Sequence, residues 1–546
     1  MKTRLHILAV LLLASVIAKP HAVACTNFLV TKGASADGSV IITYTCDGEF
    51  HPRMRYLPAE DHEGEDAFEE LTHWTGEVVG KIRQVPHTYA VVQLMNEHQV
   101  AIGETTWDGR EELHNPDGML HYWMLMRLAL QRAKTAREAI ETMGALVAEY
   151  GYRSTGESMV IADPDEAWIM EIVGPGKGGT GAIWVALKVP DGSVCAYANK
   201  SRIGAFPLDD PENCLYSPDV ISFAVEQGYY DPESGVPFSF RDAYCPASPQ
   251  KIGYTSTRVW SLYNRCAPSL GLTADYSRAA AGAAHYPLWI TPDEKLTMAD
   301  VFDLMRDHYE GTALDMTKGV DAGPFGTPNR WRPMTFTVDD ELYSWERPIS
   351  TQQTGFSIVA QSRSWLPDPV GGVLWYGVDD TDGTCYVPMY CGIDQAPEAF
   401  TRGSFERFSW DSAWWIFNLV ANYANLKYAY MIEDIREVQS ALEGRFLAQQ
   451  PAVDATALAL HRTDPALMTR YLTDYSASCS DQTVKSWQNL AEHLITKYND
   501  GYVRNEKGRP EEVGYPEDWL RHVLELRPEQ FKLDNRGKAV ETELSY

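Results

Sequence analysis

Cys25 is the residue of this chain with the clearest chemical potential. It follows an apolar leader and the small-residue stretch 22–24, which is typical of a signal-peptidase cleavage site. Cleavage after Ala24 would place a thiol and a free α-amino group on the same residue. An α-amine has an unperturbed pKa of ~7.7–8.0 and can accept the thiol proton itself. The position of Cys25 therefore predicts a nucleophile that carries its own base.

The leader also allows a second interpretation of Cys25. Lys2 and Arg4 precede the apolar run 5–18, which is shorter than the ~20 residues of a membrane span, so we expect a signal peptide over residues 1–24. The mature protein is then exported, to the periplasm or the medium. A lipid-anchored cysteine is the alternative, although a lipobox would have Leu where this chain has Ala22. Lipidation normally acylates the α-amine, so it would remove the predicted base.

Composition narrows the classes of function. The 546 residues carry a formal charge of −28 and are 45% hydrophobic, which describes a globular protein whose surface repels nucleic acid and anionic lipid. Nine cysteines are too few for a disulfide scaffold, and pairing of Cys385 with Cys391, or of Cys245 with Cys266, is as plausible as buried free thiols. Neither C-x-x-C nor H-E-x-x-H occurs. We therefore expect no metal site and no cofactor.

The elements that must position Cys25 are predominantly short strands. Residues 27–30 and 40–44 flank a turn and predict a hairpin, and strand-like runs continue to about residue 400. Two helices are predicted between them, at 121–133 and 136–150. This mixture indicates an α+β fold with helices packed on sheets.

Beyond residue 400 the sequence becomes helical. One long helix is predicted over 411–447, and Asp464 followed by Pro465 fits a helix cap and first turn. Three shorter helices are predicted after it, at 454–461, 465–475 and 482–497. We accordingly divide the mature chain into a catalytic domain, 25–400, and a helical C-terminal subdomain, 401–546.

Two stretches mimic ligand-binding motifs and are discounted. Residues 174–181 are glycine-rich but lack P-loop spacing and lie between two predicted strands, so they predict a hairpin connection. Residues 379–383 are rich in Asp, but the bidentate Glu that a calcium loop needs at its twelfth position is missing.

A series of short motifs, in order along most of the chain, resembles the dipeptidase A/secernin family of cysteine peptidases. The first is the start of the predicted mature chain, Cys-Thr-Asn-Phe-Leu-Val at 25–30. The others are Asn-Glu-His-Gln-Val at 96–100, Ala-Asn-Lys-Ser-Arg-Ile at 198–203, Thr-Ser-Thr-Arg-Val-Trp at 255–260, Arg-Asp-His-Tyr-Glu-Gly-Thr at 306–312 and Arg-Ser-Trp-Leu-Pro-Asp-Pro at 363–369.

The resemblance implies a fold and an activity. Members are N-terminal nucleophile hydrolases, related to bile salt hydrolase and penicillin V acylase. We therefore expect an αββα sandwich with a helical C-terminal extension. The implied reaction is hydrolysis of small peptides, dipeptides above all, through a Cys25 thioester and without a cofactor. A homo-oligomer is compatible with the sequence.

The resemblance also implies roles for four further residues. Asn96 and Asn199 match positions that hold the oxyanion or the nucleophile's amine, although either could be an ordinary turn asparagine. Arg258 matches an arginine near the nucleophile that favours the thiolate by charge attraction. A surface ion pair is its alternative. Asp47 matches the acid that holds the nucleophile's ammonium or a substrate amine, and it could instead be a turn acid.

One position departs from the family pattern. Where relatives commonly have Arg-Asn-x-Asp, this chain has Tyr44 at the arginine's position and keeps the acid, Asp47. A phenol is uncharged at neutral pH, so the substrate preference at Tyr44 and Asp47 can differ from that of relatives. Two other functions stay open: an amidase acting on N-acyl amino acids or bile salt conjugates, and a lipid-anchored binding protein without activity.

Overall fold

The computed structural model describes residues 25–64, 67–73 and 75–533. The predicted signal peptide, 1–24, lies outside this part of the chain, as do residues 534–546. Within the described residues no helix combines the length and apolar character that crossing a bilayer requires.

Strands dominate the first 390 residues. In chain order they are β1 (Asn27–Val30), β2 (Val40–Asp47), β3 (Tyr56–Leu57), β4 (Glu60–Asp61), β5 (Phe68–Thr72), β6 (Val78–Arg83), β7 (His87–Thr88), β8 (Val91–Val92), β9 (Met95–Asn96), β10 (Ala101–Trp107), β11 (Gly156–Ala162), β12 (Ala167–Val173), β13 (Ile183–Lys188), β14 (Val194–Tyr197), β15 (Cys214–Tyr216), β16 (Trp289–Ile290), β17 (Thr335–Val338), β18 (Glu341–Ser344), β19 (Thr354–Ser362), β20 (Val373–Val378), β21 (Val387–Tyr390), β22 (Val503–Arg504) and β23 (Pro510–Glu511).

The helices fall into an early group and a late group. They are α1 (Tyr122–Leu130), α2 (Ala136–Tyr150), α3 (Ser222–Glu226), α4 (Phe240–Tyr244), α5 (Pro249–Cys266), α6 (Met298–Leu304), α7 (Asp368–Gly371), α8 (Glu398–Thr401), α9 (Ala413–Ala424), α10 (Tyr428–Thr463), α11 (Pro465–Lys497) and α12 (Glu517–Leu526).

Two large antiparallel sheets form the centre of the molecule. One has seven strands in the order β16-β14-β1-β2-β19-β20-β21, and the other has eight in the order β15-β13-β12-β11-β10-β9-β8-β3. The sheets face each other where β1 and β2 contact β10 and β11. Strands β1, β2 and β10 to β12 are almost continuously buried, as expected for strands covered on both faces.

Helices cover the outer face of each sheet. On the eight-stranded sheet, α1 packs on β10 and α2 packs on β11 and β12. On the seven-stranded sheet, α5 packs on β14, α9 on β20, and α10 and α11 on β21. The result is a four-layered α+β architecture, which agrees with the fold class predicted from the sequence.

Local predictions held best where turn and cap signals were strong. The first hairpin is present, with Leu29 opposite Ile42, and α2 spans the predicted residues 136–150. Asp464 caps α11, since its side chain accepts a hydrogen bond of 3.0 Å from the Leu467 N–H, and Pro465 follows it. The glycine-rich stretch 174–181 connects β12 to β13, as predicted.

The late helices differ from the prediction. The single helix expected over 411–447 was wrong: α9 ends at Ala424, and α10 begins at Tyr428 and continues through Pro451 to Thr463. The separate helices expected at 465–475 and 482–497 are one helix, α11. Residues of α9 and α11 join the same core as the sheets, with Phe417 stacked on Trp487 at 4.6 Å. The domain boundary near residue 400 remains a prediction.

All nine cysteines are buried and free. Neither of the pairs considered from the sequence, Cys385 with Cys391 or Cys245 with Cys266, forms a disulfide.

Candidate active site

The Cys25 side chain lies between the two sheets. It precedes β1, and its thiol can donate to Glu104 Oε1 on the facing strand β10, at an Sγ–O distance of 3.4 Å. The Tyr44 hydroxyl on β2 is 3.9 Å from the same sulfur and donates to Glu104 Oε1 at 2.6 Å. Three strands thus bring a thiol, a phenol and a carboxylate together in a fully buried position.

A glycine allows the sheets to approach closely at this point. A Cβ atom on Gly103 would lie 2.9 Å from Asn27 Nδ2 and 3.0 Å from Tyr44 Cβ, which is closer than carbon side chains tolerate. Gly103 therefore keeps Glu104, its chain neighbour, within reach of Cys25.

A second glutamate lies beside the first. The β10–β11 register places Thr106 opposite Glu157, so Glu104 and Glu157 lie diagonally across neighbouring strands. Thr106 Oγ1 lies between them, 3.0 Å from Glu157 Oε1 and 3.5 Å from Glu104 Oε2. Both carboxyl groups are fully buried.

Burial governs the protonation of this cluster. Desolvation, followed by contact with Cys46 and the charge of Glu104, raises the pKa of the Cys25 thiol well above its usual value. Desolvation and the charge of Glu104 raise the pKa of Glu157 well above its usual value. The pKa of Glu104 is raised by burial, although hydrogen bonds from Tyr44, Glu157 and Cys25 oppose that rise. The resting thiol is therefore protonated.

Arg258 organises the main chain at Cys25 and does not contact the sulfur. Its Nη1 donates to the Cys25 carbonyl oxygen at 2.7 Å and to Thr26 Oγ1 at 2.9 Å, and its Nη2 donates to Asn199 Oδ1 at 2.8 Å. Burial and the charge of Arg347 lower the pKa of the Arg258 guanidinium to about 10, so it stays charged at neutral pH. The high pKa of the Cys25 thiol gives no sign of the thiolate stabilisation expected from Arg258.

Asn199 is connected to Cys25 through Arg258. Asn27 pairs with Tyr197 at the end of the β1–β14 ladder, and Asn199 lies two residues beyond β14. Asn199 has a left-handed φ of 54°, and its Nδ2 donates to the Thr106 carbonyl oxygen at 2.6 Å. Its amide is thus fixed between Arg258 and β10.

Asn96 occupies a different place. Its Oδ1 accepts from the His98 and Val100 N–H groups, both at 3.0 Å. Its Nδ2 donates to the carbonyl oxygens of Leu130 and Ala133, at 2.8 and 2.7 Å. These contacts tie a turn to the end of α1, which is the turn role considered from the sequence. They do not bring Asn96 together with Cys25, Asn199 and Arg258.

Asp47 is buried and ion-paired at the end of β2. Its Oδ2 accepts from Arg347, and its Oδ1 accepts from Thr354 Oγ1 at 2.7 Å. Burial lowers the pKa of the Arg347 guanidinium, but the charge of Asp47 opposes this, and the pKa of Arg347 is raised overall. Asp47 is also near enough to Cys25 for its charge to raise the thiol pKa.

Three residues of this site were missed by sequence reasoning: Glu104, Glu157 and Arg347. The two glutamates interrupt strands that are otherwise largely apolar, and a charged residue inside such a strand is a signal that could have revealed them. Arg347 lies 300 residues from Asp47 in a stretch without regular structure. Nothing in the sequence around Arg347 marks it in the way that an apolar strand marks the two glutamates.

Residues 25–64, 67–73 and 75–533 contain no group of three or more His, Cys, Asp or Glu side chains arranged to hold a metal ion. The site consists of a buried thiol, a carboxylate and an arginine–asparagine pair on an α+β scaffold.

Comparison with known proteins identifies the family. The sequence model of peptidase family C69 matches residues 71–441, and the chain belongs to this family. It is therefore an enzyme, a peptidase of the cysteine type. The matched residues include Asn96, Glu104, Asn199, Arg258 and Arg347, whereas Cys25, Tyr44 and Asp47 precede them.

Curated relatives have similar lengths and related names. A probable dipeptidase of Salmonella dublin is 26% identical over 407 residues, covering 70% of this chain and 85% of the relative. A dipeptidase of Bifidobacterium longum is 26% identical over 434 residues, covering 71% and 75%. Dipeptidase A of Lactobacillus helveticus is 24% identical over 454 residues, covering 78% and 86%.

Proposed function

We propose that this peptidase is an exported dipeptidase of the N-terminal nucleophile class, with Cys25 as nucleophile. The observation that carries the proposal is the convergence on Cys25 of Glu104 at its sulfur and of Arg258 at its carbonyl oxygen. Membership of peptidase family C69 supports cleavage of a peptide bond. The names of the three relatives support a dipeptide as the substrate.

In the proposed reaction, Cys25 Sγ attacks the scissile carbonyl carbon and the peptide C–N bond breaks, leaving a thioester on Cys25. Water then attacks the thioester and releases the thiol. Asn199 is the proposed donor to the tetrahedral oxyanion, since Arg258 holds both its side-chain oxygen and the carbonyl oxygen of Cys25. Arg258 acts through the main chain of Cys25 and through Asn199, so it is a positioning residue.

The α-amine of mature Cys25 needs an acidic neighbour that keeps it oriented, and we assign this work to Asp47. Arg347 pairs with the buried Asp47 side chain and so offsets the cost of burying a charge there. Tyr44 cannot supply the positive charge that relatives commonly have at its position. Export follows from the leader sequence and is part of the proposal.

The nucleophile is tested with a mature chain that begins at Cys25. Cys25→Ala should abolish dipeptide turnover, and so should one added glycine before Cys25, because the base would then be an amide. Cys195→Ala is the matched control, since Cys195 is another buried free thiol in the same sheet. Normal turnover in both the Cys25→Ala and glycine-extended chains would overturn the proposal.

The substrate class is tested by a panel. Dipeptides should be cleaved faster than N-acyl amino acids and bile salt conjugates by the same preparation. Activity confined to acylated amino acids would replace the dipeptidase proposal with an amidase. Intact-mass measurement of the natural N-terminus tests export and excludes the anchored alternative if Cys25 is first and unmodified.

A further inference from the structure

We propose that Glu104 is a second catalytic group, which accepts the Cys25 thiol proton while the α-amine serves the leaving group. This inference rests on the proposed function of Cys25 and extends it. Its basis is the contact of Glu104 with the reacting sulfur, at 3.4 Å in a fully buried site. A carboxylate in hydrogen-bond reach of a nucleophile is the geometry that a general base requires.

The contacts of Glu104 are those of an ionised carboxylate. Two groups point toward its Oε1, Tyr44 at 2.6 Å and Cys25 at 3.4 Å, whereas the Thr106 hydroxyl lies closer to Glu157 than to Glu104. Each of these groups has a proton to donate. Glu104 is therefore arranged to accept hydrogen bonds.

Of the two adjacent carboxyl groups, Glu157 is the one that stays protonated. Two adjacent buried carboxyl groups cannot both ionise, because their charges repel in a medium of low dielectric. Glu157 Oε2 is buried and receives no donor from any described residue. Placed on Oε2, the shared proton makes that oxygen a donor, and the adjacent Glu104 carboxylate is its acceptor. The arrangement is therefore Glu157 protonated and Glu104 ionised.

The groups that face Glu104 come from several elements. From β2 they are Tyr44, which contacts Glu104, and Cys46, which faces Cys25; from β11 the group is Glu157. Tyr122 from α1 and Tyr152 from the loop before β11 complete the set. All are neutral when protonated, so Glu104 is the group in this set arranged to hold the negative charge.

The proton balance of the reaction is complete with these two groups. In acylation the sulfur forms a bond to the carbonyl carbon, its proton moves to Glu104, and the α-ammonium protonates the departing nitrogen as the C–N bond breaks. In deacylation water attacks the thioester carbon and gives a proton to the α-amine. The C–S bond breaks, and the departing sulfur recovers its proton from Glu104.

Tyr44 acquires a specific role in this scheme. Its hydroxyl donates to Glu104 Oε1, the oxygen that faces the sulfur, and so favours the ionised form of Glu104. Tyr44 thus contributes a hydrogen bond to the proton acceptor of the thiol.

The decisive variant is Glu104→Gln in the mature chain. Glutamine keeps the shape of the side chain and an oxygen for Tyr44, but it cannot accept a proton. We expect kcat for a dipeptide to fall by about 10²–10⁴-fold. Glu443→Gln is the matched control, because Glu443 is a buried glutamate that binds Arg306 and the Tyr386 N–H far along the chain from this site.

Tyr44→Phe gives a second readout that a folding defect would not mimic. Loss of the hydrogen bond raises the pKa of Glu104, so the acidic limb of the kcat–pH profile should move upward by about one pH unit. The Glu104→Gln protein, checked for folding by circular dichroism, should lack this limb altogether. If Glu104→Gln does not fold, the shift in Tyr44→Phe decides the question.

The outcomes separate this inference from the proposed function. Wild-type kcat in Glu104→Gln, or an unmoved acidic limb in Tyr44→Phe, overturns the role of Glu104 while Cys25→Ala remains inactive. Activity in Cys25→Ala would overturn both.

Discussion

Two buried clusters of titratable side chains in this protein are neutralised in different ways. The Cys25 cluster consists of Cys25, Tyr44, Glu104 and Glu157, and its carboxyl groups share protons and hydrogen bonds. The His308 cluster consists of His308, Glu310, Asp380 and Asp382 near the turn between β20 and β21. Here charge is matched by charge: His308 Nδ1 lies 3.1 Å from Glu310, and Arg436 lies 3.5 Å from Asp382.

The difference indicates what each cluster does. Matched charges stabilise a fold without providing a group whose proton is easily moved. The turn at residues 379–383, which mimics a calcium loop in sequence, belongs to this structural type. An acid pair that holds one proton beside a thiol is poised for proton transfer. Variants should therefore affect stability in the His308 cluster and turnover in the Cys25 cluster.

Arg347→Met should have the largest effect on stability, because it leaves the buried Asp47 carboxylate unpaired beside the Cys25 cluster. Breaking a buried ion pair lowers the free energy of unfolding by about 3–5 kcal/mol. Chemical denaturation measures the change. Arg521→Met, which removes an exposed pair with Glu517, is the control and should change little. A loss at Arg347 no greater than at Arg521 would show that Asp47 does not need its partner.

Asn199→Ala should give the largest effect on turnover after Cys25 and Glu104. Removing one oxyanion donor lowers kcat by roughly 10²–10³-fold. Steady-state kinetics on a dipeptide, with protein that passes the same folding checks as wild type, measures it. An unchanged kcat with a raised KM would assign Asn199 to substrate binding.

The His308 cluster predicts a stability effect that depends on pH. Burial opposes the charged imidazole, but Glu310 and Asp382 raise the pKa of His308 to about 9, against 6.5 as its ordinary value. The stabilisation is therefore complete below pH 6.5 and is lost as the pH rises through 9, amounting to roughly 3 kcal/mol. His308→Gln should remove this dependence while kcat at neutral pH is retained. Parallel pH curves for wild type and variant would contradict the assignment.

Asn96→Ala should have the smallest effect of the four. It removes hydrogen bonds that tie a turn to α1, so the free energy of unfolding should fall by about 1–3 kcal/mol. Turnover by folded protein should change by less than about threefold. Chemical denaturation measures the change in stability, and steady-state kinetics corrected for the folded fraction measures the change in turnover. A fall as large as that expected for Asn199→Ala would restore the catalytic role first predicted for Asn96.

The sequence predicted features that depend on neighbouring residues. The α+β class, the first hairpin, α2 and the Asp464 cap all follow from local patterns. The leader pattern predicted Cys25, and the resemblance brought Asn199, Arg258 and Asp47 into consideration; in the structure Arg258 contacts both Cys25 and Asn199.

Features that depend on contact between distant strands were not predicted. Glu104 meets Cys25 because two sheets face each other, and Glu157 meets Glu104 because of a particular register. Arg347 reaches Asp47 from an irregular stretch. Helix α10 continues through Pro451 although proline tends to end a helix, and α10 packs along α11.

The central claim is that Cys25 forms a covalent acyl intermediate, and rapid-quench mass spectrometry of the mature chain tests it most directly. The enzyme is mixed with excess dipeptide, quenched in acid within one turnover and digested. The account predicts a transient mass increase of one aminoacyl group on the peptide that begins with Cys25. Turnover with no adduct in any quenched sample, or an adduct on a different residue, would contradict it.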